Sequence, residues 1–150
     1  MTPREIVIPK QNSIQAAGNT FCWSLGGNRI HAQHSFFCRM QSVPGRWVFS
    51  GLTGSPDQDN YFSLDFNVPD LGDDVLERTY QFGDGQGLRV THTYSLPGPD
   101  GVSVIEVVDA DYAELTIRLD PIKRTVRGDF NAHFKSVGLK PEGAFQLKTE

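Results

Sequence analysis

Apolar and polar residues alternate with period two along most of this chain, and the 3.6-residue period of an amphipathic helix is almost absent. Between positions 61 and 68 the alternation is complete: Phe62, Leu64, Phe66 and Val68 fall on one face, and Tyr61, Ser63, Asp65 and Asn67 on the other. Similar stretches predict strands over 30–38, 46–52, 88–95, 102–108, 112–119, 125–134 and 144–148. Pro97, Gly98, Pro99, Asp100 and Gly101 form a strong turn signal between two of them, because proline fixes φ and Asp-Gly accepts positive φ. Residues 12–17, which run up to Gly18, and residues 73–79, which open with acids, are the two short stretches that read as helix. Eight or nine strands with one apolar face each must pair their faces. The expected fold is therefore all-β: an antiparallel β-sandwich or flattened β-barrel of eight or nine strands with at most two short helices. The expected core is Phe36, Trp47, Phe49, Phe62, Leu64, Phe66, Val90, Leu115, Ile117, Phe130 and Phe145.

Length and charge narrow the classes. At 150 residues the chain reads as a single β domain spanning 1–150. Fourteen basic against eighteen acidic side chains give a net charge of −4, which argues against a nucleic-acid partner. The charge is uneven, with eight acids and one base between Asp57 and Asp84 and a basic excess from Arg118 to Lys148. No apolar run approaches the roughly 20 residues of a membrane helix. Two cysteines are too few for a disulfide framework. The first residues lack a basic region followed by an apolar one, so a cytoplasmic location is expected.

Motifs for catalysis are weak. Gly83, Gly85 and Gly87 precede a strand rather than the helix a phosphate loop requires. Counting from Asp57 puts Phe62 and Val68 where a calcium loop of the EF-hand kind needs Gly and Glu. Face arithmetic sends His34, His92 and Glu106 inward, which inside a barrel would offer two imidazoles and a carboxylate to a metal. Cys38 continues an apolar face and reads as a buried thiol. No cofactor is expected, with a metal at that triad as the exception.

Phe37, Tyr61 and Tyr112 fall on faces opposite the expected core, where exposed aromatics would anchor a partner. The leading expectation is thus a non-catalytic binding or protein-interaction domain, acting on another protein or on itself as a homo-oligomer. The alternative is a barrel that binds a small apolar ligand, or a metal-dependent enzyme built on His34, His92 and Glu106.

Two resemblances add to this reading. Gly45, Arg46 and Trp47 are similar to the Gly-x-Trp signature of the calycin group, which includes the lipocalins. That likeness implies a barrel holding an apolar ligand, with Trp47 plugging its base. Val126 to Phe134, followed by Gly143, Ala144 and Phe145, resembles the closing hairpin of uncharacterised bacterial β-sandwich domains, which implies a fold and no activity.

Overall fold

A computed structural model describes residues 18–41 and 44–149. The helix expected over 12–17 lies outside the described residues. Among the described residues there are eleven strands rather than eight or nine: β1 (Thr20–Ser24), β2 (Arg29–His31), β3 (His34–Met40), β4 (Arg46–Thr53), β5 (Phe62–Pro69), β6 (Leu76–Gln81), β7 (Arg89–Leu96), β8 (Val104–Asp109), β9 (Tyr112–Asp120), β10 (Thr125–His133) and β11 (Glu142–Lys148). The described helical pieces are short 3-10 turns at Pro56–Gln58 and Lys135–Val137. Among the described residues no helix is long and apolar enough to cross a membrane.

The strands form two antiparallel sheets. One has six strands in the order β2-β1-β11-β10-β9-β6, and the other has five in the order β3-β4-β5-β7-β8. Their apolar faces meet through aromatic rings. Phe66 of the five-stranded sheet lies 4.5 Å, centroid to centroid, from Phe130 of the six-stranded one. Phe49 stacks on Phe145 at 5.5 Å, and Phe145 stacks on Phe21 at 5.3 Å. Gly51 permits the close approach: a Cβ there would sit 2.4 Å from the Phe21 ring. Leu64, Val68, Leu115, Leu119 and Leu147 fill the space around these rings.

The chain passes between the sheets four times, and two of these passages are tight corners. The Ala32 amide donates to the carbonyl of Phe21 in the first sheet, and the next amide, Gln33, donates to Leu52 in the second. Likewise Ala110 donates to Val90 and Asp111 to His133. The first corner overturns the expectation of one strand over 30–38. Because a one-residue offset flips every side chain, Phe37 turns inward and Phe36 turns outward, the reverse of the sequence expectation. The expected helix over 73–79 is also corrected. Leu76 and Tyr80 pair with Leu119 and Leu115, so tertiary burial makes this segment strand β6.

Candidate functional site

The three candidate ligand residues do not assemble. His34 is on β3, at one edge of the five-stranded sheet, and is exposed on its outer face, opposite Leu52. Glu106 is on β8, at the other edge, four inter-strand steps or roughly 19 Å across. It is exposed and accepts a 3.0 Å hydrogen bond from the Tyr94 hydroxyl. His92 faces inward and is buried, with its ring 4.3 Å from Phe62 and 5.0 Å from Tyr94. Its Nδ1 donates to the Ser63 carbonyl at 2.8 Å. Burial holds this imidazole below the ordinary histidine range, against the opposing pull of that hydrogen bond. A satisfied neutral histidine in a packed wall is the result. Among the described residues no group of three or more His, Cys, Asp or Glu could hold a metal ion.

The aromatic candidates separate in the same way. Phe37 is 2% exposed and packs on Trp47 and Phe49, so it belongs to the core rather than to an outer surface. Tyr61 does lie on the outer side with Ser63 and Asp65, yet it is only 4% exposed. Burial and the neighbouring Asp65 push its hydroxyl up to about 12, and a hydrogen bond with Ser63 acts the other way. Trp47 is buried near the start of β4 under the Arg39 guanidinium, 4.9 Å above its ring. Arg39 in turn grips Asp70 through Nε at 2.6 Å and a second nitrogen at 2.9 Å, and reaches Asp73 at 3.0 Å. This clamp holds the Asp70 carboxyl below its ordinary range.

Tyr112 is 39% exposed, and its surroundings form a built feature. It follows the corner at Ala110 and Asp111. The Asp111 amide donates to the His133 carbonyl at 2.8 Å, and its carboxylate accepts the Lys135 amide at 2.7 Å. The strand thus leaves the corner anchored on both sides. Tyr112 pairs with His133 across the sheet, and their rings meet edge to face at 5.6 Å. Beside them is an open recess of about 510 Å³, lined by Leu25, Asn131, His133, Leu139, Lys140 and Glu142 among others. It lies on the six-stranded sheet where the β1–β2 turn meets the β10–β11 connection. The residues lining it include both charge signs, Lys140 and Glu142, beside the apolar Leu25 and Leu139.

A second feature escaped the sequence reading. On the outer face of the five-stranded sheet, the Asp65 carboxylate accepts hydrogen bonds from the Ser50 and Ser63 hydroxyls, the latter at 2.9 Å. Ser50, Ser63 and Thr93 are all buried, and among the described residues the Thr93 hydroxyl has no hydrogen-bond partner. Burial pushes the Asp65 carboxyl up to about 6, although both serine hydrogen bonds oppose the rise. Small hydroxyls in alternating positions around one carboxylate are the only sequence trace of this cluster, and on most strands the same pattern marks a wet face.

The chain matches no family model, no curated protein and no solved structure.

Proposed function

We propose that this chain is a non-catalytic interaction domain that associates with a second copy of itself through the recess beside Tyr112. The observation that carries this reading is an exposed aromatic ring, Tyr112, packed edge to face on His133, which itself lines an open recess. Rigid amphipathic rings anchor protein contacts at small entropic cost. Lys140 and Glu142 at the recess, with Glu114 beside Tyr112, suit a twofold contact in which each charge meets its opposite on the other copy. The two sheets are read as a sandwich rather than a closed barrel. Its interior is filled by stacked phenylalanines, which favours a scaffold over a carrier of apolar ligands.

Native mass spectrometry on the full chain, purified without chelator at tens of micromolar, tests this directly. A dimer that reverts to monomer on Tyr112→Ala together with Leu25→Glu supports the reading. A monomer, or a dimer indifferent to those changes, removes it. Extra mass from a metal or lipid would instead move the function to ligand binding.

A further inference from the structure

Two arginines flank Asn67 at one end of the five-stranded sheet. Arg46 opens β4, two residues before Val48, the partner of Asn67 on that side. Its Nε donates to the Asn67 side-chain oxygen, and one terminal nitrogen donates to the Gly87 carbonyl. Arg89 opens β7 and is the cross-strand partner of the same Asn67 on the other side. Burial, and after it the Arg89 charge, hold the Arg46 guanidinium below the ordinary arginine range. A third arginine joins through the connection from β6 to β7, whose last glycine is the Gly87 that Arg46 holds. Arg78 is on β6, its guanidinium carbon 5.8 Å from the centroid of the Tyr80 ring. The Tyr80 hydroxyl is buried and has no hydrogen-bond partner among the described residues. Arg78 lies over the ring rather than in line with that hydroxyl, so it acts there through its charge. Burial raises the hydroxyl, and the charges of Arg78 and Arg46 oppose the rise.

We propose that Arg46, Arg78, Arg89 and the Tyr80 hydroxyl bind the phosphoryl group of a small soluble phosphate ester. The charges here are uncompensated. Arg39 and Arg118 are each paired with a carboxylate, whereas among the described residues none forms an ion pair with Arg46, Arg78 or Arg89. Asp84 is close enough for the Arg78 charge to reach it, but its two oxygens accept the Gln81 and Gln86 amides at 2.9 and 2.8 Å. Like charges held together disfavour the fold, and an anion between them reverses the sign of that interaction. The donors are also in place. Arg78 and Arg89 are exposed, the Nη1 of half-buried Arg46 lies beside Gly87, and the Tyr80 hydroxyl is a buried donor still to be satisfied. Their number selects the ligand. A carboxylate offers two oxygens and one charge, whereas a phosphoryl dianion offers three terminal oxygens and two charges to three guanidiniums. Recognition through side chains does not need the helix N-terminus that the Gly83–Gly87 segment lacks. The site is independent of the recess beside Tyr112.

Inorganic phosphate, titrated into the isotope-labelled full chain at constant ionic strength, tests the proposal through the arginine Nε–H resonances in NMR spectra. The Arg78 and Arg89 signals should shift together and saturate at about 1–10 mM phosphate. Arg127, exposed on the outer face of the six-stranded sheet, should only drift. Arg89→Gln should weaken the phosphate Kd at least about tenfold, and Arg127→Gln should leave it unchanged. Tyr80→Phe should weaken it about threefold or more and melt no lower than the natural chain, because the lost hydroxyl is unpartnered without the ligand. No saturation by about 50 mM phosphate, an equal response at Arg127, or a Kd indifferent to Arg89→Gln overturns the proposal. Vesicles of phosphatidylcholine and phosphatidic acid provide the remaining arm. A response of the same arginines to these vesicles and not to free phosphate also overturns it, since the phosphoryl group would then be a lipid headgroup.

Discussion

The two sheets share one core and differ on their outer faces. The six-stranded sheet presents Arg127, Asp129, Arg118, Glu77 and Gln146, all exposed, and the Arg118–Glu77 ion pair crosses from β9 to β6. The five-stranded sheet presents Val48, Ser50, Leu52, Ser63 and Thr93, all buried, around the carboxylate of Asp65. Both faces follow the same alternation along their strands. What separates them is side-chain size and charge: long charged groups keep their heads in water, whereas short hydroxyls such as those of Ser50 and Ser63, bonded to Asp65, are buried. A polar side of a strand is therefore not the same thing as a wet side.

The largest expected effect comes from placing a charge on each face. Leu52→Asp should cost about 3–4 kcal/mol, because it puts an unpaired carboxylate on a buried surface. Gln146→Asp, at a central outer position of the other sheet beside Arg127, should stay within about 0.5 kcal/mol. Urea unfolding of the two variants measures the difference, and equal costs would erase the distinction between the faces.

Acid titration sharpens it next. Asp65 has an ordinary carboxyl value of 3.8 that burial raises to about 6 in the folded chain. The folded state therefore holds this proton more tightly than the unfolded one. The stabilisation from it is full below about pH 4 and is lost as pH rises through about 6. The stability difference between the natural chain and Asp65→Asn should shift by about 2–3 kcal/mol over that window. Denaturation curves taken across the range read it, and parallel curves would mean that the carboxyl is well hydrated.

The smallest effect belongs to the open face. A double-mutant cycle on Arg118 and Glu77 should return about 0.2–0.5 kcal/mol, because both side chains are largely in solvent. The coupling should vanish in about 0.5 M salt. Survival of the coupling at that salt would show that this face, too, is shielded.

Much of the fold was legible because burial imposes period two on strands. Phe62, Leu64, Phe66 and Val68 face the core as the alternation requires, and Pro97 to Gly101 does connect the paired strands β7 and β8. The errors have local causes. Phe21, Cys22 and Trp23 are consecutive buried residues, so β1 carries no alternation to detect. The corner at Ala32 and Gln33 changes the phase of the chain, which misplaced His34, Phe36 and Phe37 together. Tyr112 was legible as outward, and its exposure follows from lying on the solvated sheet. Tyr61 has the same outward sense but is buried on the other sheet, and strand periodicity does not tell a buried outer face from a wet one.

The placement of β11 between β1 and β10 has a consequence for how the chain assembles. Cys22 and Ala144, which face each other across the β1–β11 pair, are 122 residues apart in sequence. Closing so long a loop forfeits entropy before any contact compensates it, and topologies rich in such pairings fold slowly. The five-stranded sheet has all its strands in hand once Asp109 has been made. The six-stranded sheet must wait for Lys148, so on a ribosome Phe21 and Trp23 are among the first core residues to emerge and among the last to find their permanent neighbours.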